Sequence, residues 1–130
     1  MIKAIDYLSS IGKSALVQEY IDPLLYKNRK FDIRCYALVT TYCGNLKAYW
    51  YKEGYLRTSC KEFNYEPTNI YAHLTNDAVQ KKHKDYGKYE PYNKLSFSDL
   101  EIILKGKDIS YSNILTRMKE LAFMSIKSAE

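Results

Sequence analysis

Apolar and polar positions follow two different periods along this chain. From Lys30 to Thr41 the residues first alternate and then become almost continuously apolar. In an extended strand successive side chains point to opposite faces, so Lys30, Asp32 and Arg34 share one face. Phe31, Ile33, Cys35, Ala37 and Val39 share the other, which predicts a core strand over 30–41. Cys43-Gly44-Asn45 reads as a turn and 46–51 as the antiparallel partner strand of a hairpin. Upstream, Ile2, Ile5, Leu8 and Ile11 fall on one helical stripe closed by Gly12, and 15–21 reads as a short strand ended by Asp22-Pro23. Leu24-Leu25-Tyr26 continues extended into a polar turn at Lys27-Asn28-Arg29.

Downstream, Glu53-Gly54 interrupts the chain and 55–58 resumes it as a short extended run. Residues 60–69 read as irregular around Pro67, and His73-Leu74-Thr75-Asn76 as a short punctuated segment. The polar, tyrosine-rich stretch 81–93, with Gly87 and Pro91, reads as a long loop, a kind that is usually functional or mobile. Ser98-Asp99 is expected to cap a short helix through Leu104, with Gly106 ending it. The clearest helix covers 111–128, where Ile114, Leu115, Met118, Leu121, Ala122 and Ile126 make one apolar stripe. Such a stripe buries against something, and if the strands here are too few to cover it, the partner lies outside this chain.

Length and composition narrow the class. The 130 residues make one domain's worth of chain, 1–130, and 46% hydrophobic with 27% charged residues is a globular balance. Fourteen tyrosines point to amphipathic, half-buried surfaces. A net charge of +5 and a pI near 9.0 favour an acidic partner: an acidic peptide tail, a nucleotide or a nucleic acid. The basic residues lie in small groups, Lys27-Asn28-Arg29-Lys30 and Lys81-Lys82-His83-Lys84, each readable as a solvated loop, and no nucleic-acid motif accompanies them. Three cysteines without paired spacing argue against a disulfide framework, and His73 and His83 complete no zinc pattern. A reducing, cytoplasmic setting is the expectation, with no signal peptide and no membrane span. Two cations flanking a carboxylate, Lys30-Asp32-Arg34, suit a polyphosphate or carboxylate ligand, although alternation alone favours a solvated face.

Four short motifs change that balance. Gln18-Glu19-Tyr20-Ile21, then Arg29-Lys30-Phe31-Asp32-Ile33-Arg34, then Tyr51-Lys52-Glu53-Gly54-Tyr55-Leu56-Arg57, then His73-Leu74-Thr75-Asn76 with Val79-Gln80-Lys81 occur in this order. Together they resemble the tubulin–tyrosine-ligase family, whose ligase-like members include glutamylases and glycylases, over roughly residues 16–82. The resemblance implies an α+β fold, part of an ATP-grasp module with antiparallel strands and flanking helices. It implies an enzyme that uses ATP and magnesium to activate a carboxylate as an acyl phosphate, which the amine of a second amino acid attacks. The acceptor would be an acidic tubulin tail, placing the protein on the cytoskeleton or in a cilium or axoneme, with no nucleic acid and no membrane as partner.

The same resemblance assigns roles. Gln18, Glu19, Tyr20 and Ile21 match the hinge that reads adenine, and Lys30 would meet phosphate with Asp32 orienting it or approaching the acceptor. Phe31, between them, packs. Arg34 is the candidate for charge stabilisation in the transition state, and Arg57 matches the arginine that grips an amino-acid carboxylate through both arms of its fork. Thr75 and Asn76 match the polar pair near the phosphates. Asp77 and Ala78 fall where the family selects its amino acid, yet they are neither the Tyr-Ser of glutamylases nor the His-Cys of the tyrosine ligase, so tyrosine, glutamate and glycine stay open. The glycine-rich loop expected upstream and the metal-binding Glu-x-Asn expected downstream are not in this sequence. Glu62-Phe63-Asn64 spells the latter in the wrong part of the order. The chain therefore reads as the middle portion of a catalytic module, its magnesium ligands supplied from elsewhere. A truncated, non-catalytic microtubule-binding protein is the alternative.

Overall fold

The computed structural model describes residues 8, 10–12, 14, 16 and 18–128. Ile2 and Ile5 of the expected first helix, and Ala15 and Val17 of the expected strand over 15–21, lie outside them. The described part of that strand is a correction: Leu16 and Gln18 to Ile21 form no strand. Among the described residues they join no strand ladder, and Ile21 is 84% exposed.

Six strands and four helices follow: β1 (Leu25–Tyr26), β2 (Arg29–Arg34), β3 (Ala37–Tyr42), β4 (Asn45–Trp50), β5 (Tyr55–Glu62), α1 (Ile70–His73), α2 (Asp77–Gln80), β6 (Lys94–Ser96), α3 (Phe97–Lys105) and α4 (Tyr111–Lys127). A single 3-10 turn at Pro91–Asn93 leads into β6. Every pairing is antiparallel, in a four-stranded sheet ordered β1-β2-β5-β6 and a separate two-stranded hairpin β3-β4. The fold is thus α+β, antiparallel strands with flanking helices.

The strand expected over 30–41 is two strands in two sheets. Phe31 lies opposite Thr58, Asp32 opposite Arg57 and Ile33 opposite Leu56, so β2 is bound to β5. Beyond Cys35-Tyr36 the chain leaves that partner, and β3 pairs only with β4. Ala37 and Val39 consequently lie outside the core, which Phe31, Ile33 and Cys35 do reach. The hairpin turns at Cys43 and Gly44, both with positive φ, the mirror-image turn whose twist suits paired strands. Lys27 and Asn28 make the same kind of turn between β1 and β2, so Arg29 belongs to a strand and not to the polar turn.

Cross-strand partners share a face, which divides the larger sheet cleanly. One face carries Phe31, Ile33, Leu56 and Leu95 and is covered by α3, whose Phe97, Leu100 and Leu104 complete a buried cluster with Leu56. Gly54 lets the chain pass beneath Phe97: a Cβ there would stand 2.3 Å from Phe97 Cζ and 2.5 Å from the Arg34 carbonyl oxygen. The cap of α3 is Ser96 and not Ser98-Asp99. Its hydroxyl accepts from the Asp99 amide, while the Asp99 carboxylate accepts from the Ser96 amide at 2.7 Å, a reciprocal capping box. Helix α4 starts at a Ser110 cap and runs beside the sheet with none of its residues fully buried. Among the described residues no helix is long and apolar enough to cross a membrane.

The same covered face turns polar towards its far end. Arg29, 2% exposed, donates to both carboxylate oxygens of Glu90 and to the Ser59 carbonyl, and Thr58 Oγ1 donates to Glu90 at 2.9 Å. Strand β5 runs on to Glu62, well past the extended run 55–58, and β6 covers only its first three residues. Farther along that edge two side-chain amides replace a strand. Asn93 Nδ2 donates to the Thr58 carbonyl at 3.0 Å, and the Cys60 amide donates to Gln80 Oε1 at 2.7 Å. Gln80 Nε2 also reaches the Leu74 and Tyr71 carbonyls, so one buried glutamine fastens α1 and α2 to the sheet. These short helices occupy ground read from sequence as a punctuated segment. The stretch 81–93, read as a polar loop, contributes buried Glu90 and Asn93.

Candidate functional site

The face of the sheet opposite α3 collects the charged side chains of three strands. Asp32 on β2, Arg57 on β5 and Lys94 on β6 are successive cross-strand partners and form one row. Arg57 Nε donates to Asp32 Oδ1 at 2.9 Å and Nη2 to Oδ2 at 2.5 Å, a planar two-point pair. That hydrogen bond to Asp32 raises the Arg57 pKa, with a further contribution from the charge of Asp77. The next row holds Arg34, Tyr55 and Ser96. The Arg34 guanidinium lies 5.5 Å from the ring centre of Tyr36, and Lys94 Nζ lies 5.5 Å from that of Tyr55. A hydrogen bond between the two phenols lowers the pKa of Tyr36 and raises that of Tyr55. Asp77, at the start of α2, accepts from Tyr86 at 2.7 Å and pairs with Lys81 at 2.8 Å. Lys81 first, then Tyr86, hold its carboxyl below the usual range, while burial and Asp77 push the Tyr86 phenol up to about 12.

Beside this ionic field, towards β1, lies a cleft of about 380 Å³ lined by Tyr20, Lys30, Tyr65, Pro67, His73 and Leu74. Lys30 Nζ stands 5.7 Å from the Tyr20 ring centre. Aromatic walls with one cation at the rim form a slot suited to a planar ring carrying negative charge.

The structure therefore brings some of the expected residues together. Tyr20 and Lys30 share the cleft; Asp32, Arg34 and Arg57 share the sheet face opposite α3. Phe31 points the other way, into the core, as packing. Gln18, Glu19 and Ile21 are exposed coil and do not line the cleft. Thr75 is 7% exposed, whereas Asn76 is exposed at the head of α2 with no side-chain capping bond. Ala78 is exposed next to Asp77. Among the described residues no three His, Cys, Asp or Glu side chains converge as a metal set requires, and Asp32 and Asp77 are each held by a cation. Reading the sequence missed Lys94, which directly follows the stretch 81–93 taken as loop. Its only signal was the Lys94-Leu95-Ser96 alternation, too short to predict a strand. It also missed Phe63, Tyr65 and His73, whose rings meet around the cleft.

Comparison with known proteins sets this arrangement in context. The model of the tubulin-tyrosine ligase family matches residues 1–128. Tubulin glycylase 3B of Tetrahymena thermophila is 33% identical over 135 residues, covering 98% of this chain and 11% of that protein. Tubulin polyglutamylase TTLL5 of Homo sapiens is 36% identical over 131 residues, covering 93% of this chain and 10% of its own length. A probable alpha-tubulin polyglutamylase, Ttll1 of Tetrahymena thermophila, is 35% identical over 128 residues, covering 93% of this chain and 30% of that protein. The chain spans about a tenth of the first two relatives and under a third of the last. With the match running through nearly every element that builds the sheet, the cleft and the ionic row, the chain belongs to the tubulin-tyrosine ligase family.

Proposed function

We propose that this chain is one wall of the active site of an ATP-dependent ligase that joins an amino acid to an acidic tubulin tail. The observation that carries the reading is that Lys30 and Tyr20 flank one cleft while Asp32, Arg57 and Lys94 line up on the same sheet face. ATP, when bound, supplies the activation of a carboxylate by phosphoryl transfer, a step that depends mainly on positioning and charge stabilisation. The cleft would hold the base against Tyr20, with Lys30 meeting phosphate and Thr75 and Asn76 near the same end. Arg34 would stabilise developing charge. Arg57 and Lys94 would hold the carboxylate of the incoming amino acid, with Asp32 fixing the guanidinium plane. Asp77 and Ala78 would face that amino acid. Since the relatives include a glycylase and polyglutamylases, glycine and glutamate lead over tyrosine. The net charge of +5 suits an acidic acceptor, and such work belongs at cytoskeletal or ciliary microtubules. We assign the magnesium ligands to residues outside this chain.

The test is ATP binding by the purified chain, measured by titration calorimetry with magnesium present. Micromolar binding is expected, weakened at least about tenfold by Lys30→Ala, the loss of one phosphate-directed charge. No binding by the unmodified chain overturns the nucleotide site in this chain.

A further inference from the structure

Phe63 does not line the cleft, yet it touches three of the rings that do. Its ring centre lies 6.5 Å from that of Tyr20 with the planes 6° apart. It meets Tyr65 edge-on at 5.2 Å and 72°, and His73 edge-on at 5.5 Å and 82°. The backbone beneath it is fixed, because the Phe63 amide donates to the Asn28 carbonyl at 2.8 Å, in the turn that opens β2. Two of the rings are also tied at their outer ends. Tyr65 donates to Asp22 Oδ1 at 2.9 Å, and His73 Nε2 lies 2.8 Å from the Glu66 carbonyl oxygen.

Burial does little to hold two of these rings. Tyr20 is 54% and Tyr65 72% exposed, so neither is locked by burial. A wall of exposed rings must be ordered when a ligand binds, and that ordering opposes binding. A half-buried ring that contacts all three at once, in the stacked and edge-on geometries aromatic pairs prefer, supplies the order beforehand. We infer that Phe63 is the positioning residue of this cleft: it pre-arranges Tyr20, Tyr65 and His73 into a slot for a planar heteroaromatic base. Lys30, whose Nζ lies 5.7 Å from the Tyr20 ring centre, would address the ligand's charge and not its base. The inference rests on the cleft being a nucleotide site, and adds to that reading the residue that makes it select for a base.

The experiment compares ATP affinity with the melting temperature of the ligand-free chain for the unmodified protein, Phe63→Leu and Phe63→Trp. Leucine keeps most of the apolar volume and removes the ring contacts; tryptophan restores an aromatic plane. The expected result is about tenfold weaker ATP binding for Phe63→Leu, with binding recovered to within about threefold by Phe63→Trp. The ligand-free melting temperature of Phe63→Leu is expected to stay within about 3 °C of the unmodified chain. Unchanged ATP affinity in Phe63→Leu overturns the inference, as does a loss of affinity accompanied by a larger fall in melting temperature, or one that tryptophan fails to rescue. Failure of the unmodified chain to bind ATP is a different outcome, and overturns the nucleotide reading itself.

Discussion

Glu90 accepts two hydrogen bonds from Arg29 and a third from Thr58, with 5% of its surface exposed. Removing one partner of such a pair leaves a charge buried without compensation, which costs about 3–5 kcal/mol, more than the intact pair contributes. Glu90→Ala is therefore expected to lower unfolding stability by about that amount in urea titrations. Replacing both residues, Arg29→Met with Glu90→Leu, should recover most of the loss, and a double variant as unstable as the single one would contradict this account. Nothing near Arg29 in the sequence announces the pair. It sits among Lys27, Asn28 and Lys30, a setting that reads as solvent, and its partner lies 61 residues away. The Asp32–Arg57 pair was half legible. Both side chains stood out as site residues, but that one occupies the other depends on the β2–β5 register, which no local pattern fixes.

Elements form where local signals and partners agree. The β3–β4 hairpin was legible because Cys43-Gly44-Asn45 marks its turn, and α4 because its apolar spacing persists over several turns. The division of β2 from β3 was not, since Cys35-Tyr36 carries neither glycine nor proline; the choice of partner strand ends β2. Likewise α1 and α2, four residues each, are too short to show a period and depend on Gln80 for their place. The junction of β5 with α3 turns on Gly54. Because the added methyl would press on a backbone carbonyl as well as on Phe97, Gly54→Ala cannot be absorbed by a side-chain shift alone. Overpacking of this sort costs about 1–3 kcal/mol or more, and a clear drop in melting temperature is expected by circular dichroism. A neutral result would mean that Phe97 can leave its seat against Leu56 without loss.

Across the whole molecule, stability should be uneven. β5 lies between β2 and β6, with Leu56, Thr58, Ser59 and Cys60 almost wholly buried. By contrast α4 buries no residue fully, and it borders an open apolar cleft of about 580 Å³ that includes Leu24, Phe31, Leu100 and Met118. The hairpin is largely exposed, Leu38 at 62%. Local opening follows burial, so the amides of 56–60 are expected to exchange slowest with deuterium, with α4 and β3–β4 exchanging far sooner. Equal protection throughout would contradict that gradient. At this scale the sequence told more about class than about arrangement. An α+β chain with antiparallel strands and one long amphipathic helix was legible, but the division of the strands into two sheets was not.

The two amides that continue the ladder on β5, from Asn93 and Gln80, have a consequence beyond holding loops in place. A strand edge with free N–H and C=O groups is a template on which another polypeptide can add, and sheets left open in this way polymerise. Here that edge is closed by side chains that donate and accept at two points but offer no backbone of their own for a further strand. Hydrogen bonding along β5 stops at a pair of amide tips, and its outer edge gives a growing fibre nowhere to start.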